Sequence, residues 1–292
     1  MNNGPFLFLG SFVALLLSWL GLVVVPQVQL RDLQPVKNDT TGKYYPLQRL
    51  GLARQGAEVY RANACYTCHS QQVRQEGYYF QAVIDKAGTN EMALEAALTK
   101  ANPELADISY EAGDKLALGE RDDRRDAYLL DTRRKTRFEQ LFDNEKIAEF
   151  EAKVRFDFIP TGADIEVRKW GVRASVAADY LYDDPVMLGS QRIGPDLSNV
   201  GHRSQGESWQ LHHLYHPRTK VEGSTMPAYR FLFAKRRIGE APSPDALQLA
   251  GDLAPADGWE IVPTADALAL VAYLQSLKVT EALYEAPTTV AP

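Results

Sequence analysis

Two cysteines stand in the 292-residue chain, and both fall in one short run, Cys65-Tyr66-Thr67-Cys68-His69. Two thiols three positions apart can add to the two vinyl groups of a single porphyrin. A histidine directly after the second thiol is then held beneath the iron as its proximal ligand. The spacing reads as c-type haem attachment, one covalent haem c with Cys65, Cys68 and His69 as its anchors. Three other chemistries use the same residues. A thioredoxin-like redox pair wants a βαβ context, which the flanking sequence lacks. A structural zinc site needs two further ligands; His212, His213 and His216 could supply them, although no second Cys-x-x-Cys accompanies them. A chance pair of buried cysteines is the third.

An electron-transfer haem iron takes a sixth ligand, and methionine opposite histidine raises the potential. Met92 lies in an amphipathic pattern and reads as packing, and Met187 sits in a loop beside Leu188. Met226 is followed by Pro227 in the polar run Gly223-Ser224-Thr225-Met226-Pro227-Ala228-Tyr229, where it has no helical stripe to join. Met226 is the favoured metal ligand with His69. The alternative is a bis-histidine site using His202, His212, His213 or His216. The proximal ring also needs an acceptor for its second nitrogen. The stiff turn Gly194-Pro195-Asp196-Leu197 offers a backbone carbonyl for this, or is an ordinary tight turn.

Around these residues the chain must supply a location and a scaffold. Residues 5–25 are all apolar or small, and about 20 such residues cross a hydrocarbon core as a helix. A cleaved signal would want a basic start and a small-residue cleavage site; neither is present, so residues 1–27 are expected to be a retained transmembrane anchor. Arg31, Lys37 and Lys43 follow it and argue for a cytoplasmic side. Haem c is attached outside the cytoplasm, and a long folded domain translocates largely regardless of charge. The expectation is therefore a single-pass protein of the bacterial inner membrane with its haem domain on the periplasmic side. The net charge of −6 argues against nucleic acid and leaves an acidic surface suited to a basic partner.

Residues 28–50 read as a linker, and residues 51–280 as the haem domain. A helical pattern opens at Leu52 and runs into Cys65, and a last helix over 266–278 has Thr264 as a plausible N-cap. From 77 to 169 the character changes. Helical runs around Met92 and Phe138 flank the charge block Glu120-Arg121-Asp122-Asp123-Arg124-Arg125-Asp126, whose mixed signs suggest a solvated helix face. Residues 180–229 look loop-dominated, and the tail 281–292 looks disordered beyond Glu285.

Gly56-x-x-x-Tyr60-x-x-Asn63-x-Cys65-x-x-Cys68-His69, then Gly194-Pro195-x-Leu197, Met226-Pro227 and Tyr273-Leu274-x-Ser276-Leu277-Lys278, resembles a class I cytochrome c in the usual order. Cys65-Tyr66-Thr67-Cys68-His69-Ser70-Gln71 with Val73-Arg74, and Gly189-Ser190-x-Arg192-x-Gly194-Pro195-Asp196-Leu197, is similar to the mono-haem subunit II of cbb3-type cytochrome c oxidase. The resemblance covers roughly residues 1–80 and 170–280. It implies a mainly α fold: one transmembrane helix plus a class I cytochrome c domain carrying a large helical insertion at 77–169. It implies that Met226 is the distal ligand and that Arg74 and Arg192 neutralise haem propionates. Its implied partners are a haem-copper oxidase catalytic subunit, a further cytochrome c subunit or soluble cytochrome c donor, and membrane lipid. The chain would then carry electrons in a respiratory oxidase without itself reducing oxygen. The cytochrome c subunit of a nitric oxide reductase, and a free membrane-anchored carrier or haem sensor, are the alternatives.

Overall fold

The computed structural model describes residues 3–31, 33–37, 42–203, 206–279, 281–283 and 286; the expected tail beyond 286 lies outside them. The chain divides into two units, one of residues 1–49 with 176–186, the other of 50–175 with 187–292.

In the first unit, an apolar helix α1 spans Gly4–Gln29. All its described side chains down to Gly21 are exposed, including Phe6, Phe8 and Leu15. A continuous apolar surface of that kind has no place in water, and the helix is long and apolar enough to cross a membrane. Val36–Lys37 pairs antiparallel with Tyr44–Tyr45 within the expected linker. Tyr45 donates to Asp179 at 2.7 Å, and Arg49 pairs with Asp183.

The second unit holds two hydrophobic cores. The first is built on helix α2, Gly51–Ala62, crossing the C-terminal helix over Ala265–Ser276. The crossing is close because Gly56 has no side chain: a Cβ there would sit 1.8 Å from the Ala269 carbonyl oxygen. Tyr60 and Tyr273 pack at the same crossing with ring centroids 5.3 Å apart. Thr264 caps the last helix, its hydroxyl accepting from the Ala267 N–H at 3.3 Å.

The second core belongs to residues 79–159 and corrects the expected helical insertion. Four strands, β1 Tyr79–Lys86, β2 Glu120–Asp122, β3 Ala127–Asp131 and β4 Lys153–Ile159, form an antiparallel sheet in the order β2-β3-β1-β4. Two helices, α3 Glu91–Ala101 and α4 Thr132–Asn144, contribute Leu94, Leu98, Phe138 and Phe142 to its core, with Ala82, Ile84 and Leu130 from the sheet. The period-2 alternation of Val154, Phe156 and Phe158 specifies a strand. The charge block is also a correction: it is solvated, but on the β2–β3 hairpin, where Arg121 pairs with Asp123 and Asp126 rather than lining a helix. The lobe leaves and rejoins the rest at one point, since the Glu76 N–H donates to the Thr161 carbonyl at 3.1 Å. The architecture is thus mixed helix and sheet rather than mainly α. Helix α5, Glu207–Tyr215, and a hairpin of β5 Phe233–Arg237 with β6 Trp259–Pro263 complete the unit; the last helix is α6.

Candidate functional site

Helix α2 ends at Ala62, and Ala64 takes a left-handed conformation at φ 51° that turns the chain into the single 3-10 turn Cys65–Thr67. The Cys68 and His69 N–H groups both return to the Cys65 carbonyl, at 3.2 and 3.0 Å. Cys65 and Cys68 are both half-buried, and Cys65 packs against the first core. Burial pushes the Cys65 thiol up to about 11, with the nearby Cys68 adding to the rise and the backbone and Tyr229 hydroxyl opposing it.

The segment after His69 is zipped to the Gly194–Leu197 turn. Gly194 donates to the Cys68 carbonyl at 3.0 Å and Leu197 to the Ser70 carbonyl at 2.8 Å. His69 Nδ1 lies 2.8 Å from the Pro195 carbonyl. The carbonyl can only accept, so Nδ1 carries the proton and Nε2 is left as a lone-pair donor. Gly194 lies flat against the imidazole: a Cβ would come 2.2 Å from His69 Cε1. Burial lowers the His69 pKa, which keeps the ring neutral and able to ligate.

Asp196, fully buried, was quoted in the motif without a role and proves to be the fastening. Its carboxylate accepts from the Ser70 hydroxyl at 2.6 Å, the Gln72 N–H at 2.7 Å and the Ser198 N–H at 2.8 Å. Gln71 joins the same stretch to the helix crossing, its amide donating to the Tyr273 hydroxyl at 3.0 Å.

Met226 is half-buried in its loop and packs against the core that also receives Cys65, Tyr66 and Tyr229. Met187 packs on that core too, whereas Met92 is 76% exposed on the lobe, neither ligand nor packing. Among the histidines of the alternative arrangements, His212 has both ring nitrogens near carbonyls, Ser208 at 2.7 Å and Gln248 at 3.0 Å. His213 stacks on Trp209 at 4.8 Å, and burial lowers its pKa. Among the described residues no three His, Cys, Asp or Glu side chains converge, as the zinc alternative requires.

Arg74 and Arg192 both meet Asp164. Arg192 gives both hydrogen bonds of one guanidinium nitrogen to Asp164, at 2.9 and 2.7 Å, and its other terminal nitrogen to the Gln72 carbonyl. The Arg74 side chain is exposed, and its backbone N–H donates to Asp164 at 2.9 Å. Asp164 carried no signal in sequence, because its partners lie up to 90 positions away. Burial alone would raise its pKa; the hydrogen bonds from Arg74, Arg192 and Arg168 overcome that and hold it low.

Residues 162–250 match the family described as cytochrome c oxidase, mono-heme subunit/FixO. The FixO match contains Asp164, Arg192, the 194–197 turn, His213 and Met226, and supports the resemblance to the cbb3-type subunit II. It begins three residues after β4 ends, so the sheet lobe lies outside it, as does Cys65–His69. No curated protein matches the chain. A FixO mono-haem oxidase subunit is an electron-transfer component that works with other oxidase subunits.

Proposed function

We propose that the chain is the haem c-bearing electron-transfer subunit of a cbb3-type oxidase, anchored by α1 with the haem domain on the periplasmic side. The observation that carries this reading is the pre-oriented His69, its Nδ1 held by the Pro195 carbonyl, immediately after two cysteines three residues apart. The donor set suits an iron porphyrin better than a bare metal ion. Cys65 and Cys68 would hold the porphyrin edge as thioethers, His69 Nε2 would be the proximal ligand, and Met226 the distal one. Bound there, the haem supplies reversible one-electron exchange.

The chain's own contribution is rigidity. Pro195 fixes the imidazole's tautomer and plane, Gly194 allows the backbone to lie against it, and Asp196 fastens the 70–72 stretch that follows. Little of the site then has to reorganise when the iron changes charge. If His69 and Met226 both hold the iron, the chain would bind no oxygen, and the haem-copper catalytic subunit would reduce it. Purification of the full chain from detergent-solubilised membranes tests this. Co-purifying haem-copper oxidase subunits are expected, and the chain once separated from them should show a reduced visible spectrum unmoved by carbon monoxide. Nitric oxide reductase subunits in their place, or prompt carbon monoxide binding by the separated chain, would refute it.

A further inference from the structure

A second cluster of cationic side chains gathers beside Trp170. Two guanidiniums lie over the Trp170 ring, that of Arg168 at 4.9 Å from its centroid and that of Arg192 at 5.2 Å. Both guanidiniums share one carboxylate, Asp164, which is 2% exposed. Arg168 and Arg192 thus share a single buried acid, with the exposed Lys169 adjacent in sequence and Arg74 reaching the same acid through its backbone N–H, while the next acid, Glu166, pairs with Arg125. That is a local surplus of positive charge in a chain whose net charge is −6. Stacking on the indole holds the two long side chains in place, so less side-chain entropy is lost when a partner binds. Apolar side chains flank them: Val167 is 74% exposed and Ile193 is 62% exposed. Arginine and tryptophan with exposed aliphatic neighbours is the composition of an interface centre rather than of ordinary solvated surface.

The patch also has a direct line to the candidate haem site. Ile193 precedes Gly194, which donates to the Cys68 carbonyl and lies against His69, and Arg192 donates to the carbonyl of Gln72. An ion-pair latch would need only Asp164 and Arg192. It would not need Lys169, an exposed Arg74, or two bare aliphatic side chains at the same place.

We propose that the surface of Arg168, Lys169, Trp170 and Arg192, with Arg74, Val167 and Ile193 at its margin, is the docking face for an acidic protein partner. Carboxylates on the partner steer the encounter and meet the guanidiniums, while an apolar centre covers Val167, Trp170 and Ile193. This deepens the electron-transfer reading, on which the partner's redox role rests, but the docking itself requires no haem.

The test uses the full chain purified in detergent and a flavodoxin, a small acidic redox protein, as the probe. A carbodiimide joins a lysine amine to a carboxylate as an amide, with water lost to the carbodiimide, which becomes a urea. Lys169 is expected to be the dominant cross-linked amine by peptide mass spectrometry, with a yield that falls as salt screens the attraction. Arg74→Glu and Arg168→Glu should each lower the Lys169 yield about tenfold at low ionic strength. Arg168→Glu also removes a hydrogen bond to Asp164, so Arg74→Glu, an exposed side chain, keeps the result independent of folding. Cross-links centred on Lys235 beside Trp259, an even spread over lysines, or an unchanged Lys169 yield in Arg74→Glu would overturn the proposal. A pyridine haemochrome assay on the same sample reports separately on the haem.

Discussion

The two cores of the larger unit obey different rules. The core of the sheet lobe is closed by its own side chains, with Ala82, Ile84, Leu98, Leu116 and Leu130 all completely buried. The core beneath Cys65–His69 has a sulphur- and aromatic-bearing margin, where Cys65, Tyr66, Met187, Met226 and Tyr229 are only partly covered. Close backbone approaches occur in both: a Cβ at Gly56, Gly189, Gly194 or Gly201 on the haem side, or at Gly88 or Gly119 in the lobe, would come within about 2.5 Å of another residue. The closed apolar core of the lobe tolerates exchange of similar side chains. The haem-side core is also fastened by a few buried hydrogen bonds about Asp196, which tolerate no such exchange.

The largest effect is expected where the two haem-side helices cross. Gly56→Ala would force apart the α2–α6 crossing, and a loss of about 4 kcal/mol or more is expected, seen as a fall of roughly 10 °C in melting temperature. A fall of only a degree or two would mean that the crossing is loosely packed. Next in size is Leu98→Ala in the lobe, expected to cost about 2–5 kcal/mol, while haem content per chain stays unchanged. Coupled loss of haem would contradict the separation of the cores. Excision of residues 78–160 with a short glycine bridge sharpens the same point, because Glu76 and Thr161 already meet. The shortened chain should still fold and keep the 69–195 contact, read from the His69 ring signals by NMR.

Asp196→Asn should cost about 2–3 kcal/mol, since a charged acceptor for three donors becomes a neutral one that also brings unmatched N–H groups. Chemical denaturation measures it. A smaller effect is expected at Asp164. Its folded pKa lies below the ordinary aspartate value near 3.8, so its stabilisation is complete above that value and is lost as pH falls through the folded one. Melting temperature should therefore drop on acidification below pH about 4 less steeply in Asp164→Asn than in the parent. Smallest is Arg121→Ala on the exposed hairpin, worth under about 1 kcal/mol.

Legibility in the sequence follows the same division. The helices flanking the haem-side core were readable because their contacts leave local marks: Gly56 and Tyr60 one turn apart, Thr264 at a cap, Cys65–His69 in a single turn. The 194–197 turn was readable for the stiffness of Gly194-Pro195, though Asp196, which fastens it, gave no sign of its three donors. The lobe departs from the helical expectation because the charges of 120–126 fit a helix face and clear strand alternation shows only over 153–159. Asp164 and the Arg192 pairing were illegible, since they depend on residues that only the fold brings together.

The covalent bond between chain and porphyrin is the most direct point of attack. The purified full-length protein, denatured and extracted with acidic acetone, should keep a pyridine haemochrome on the peptide carrying Cys65 and Cys68. The peptide's mass should be raised by one haem, and the thiols should no longer alkylate. A colourless pellet with two alkylatable cysteines would contradict the account at its foundation.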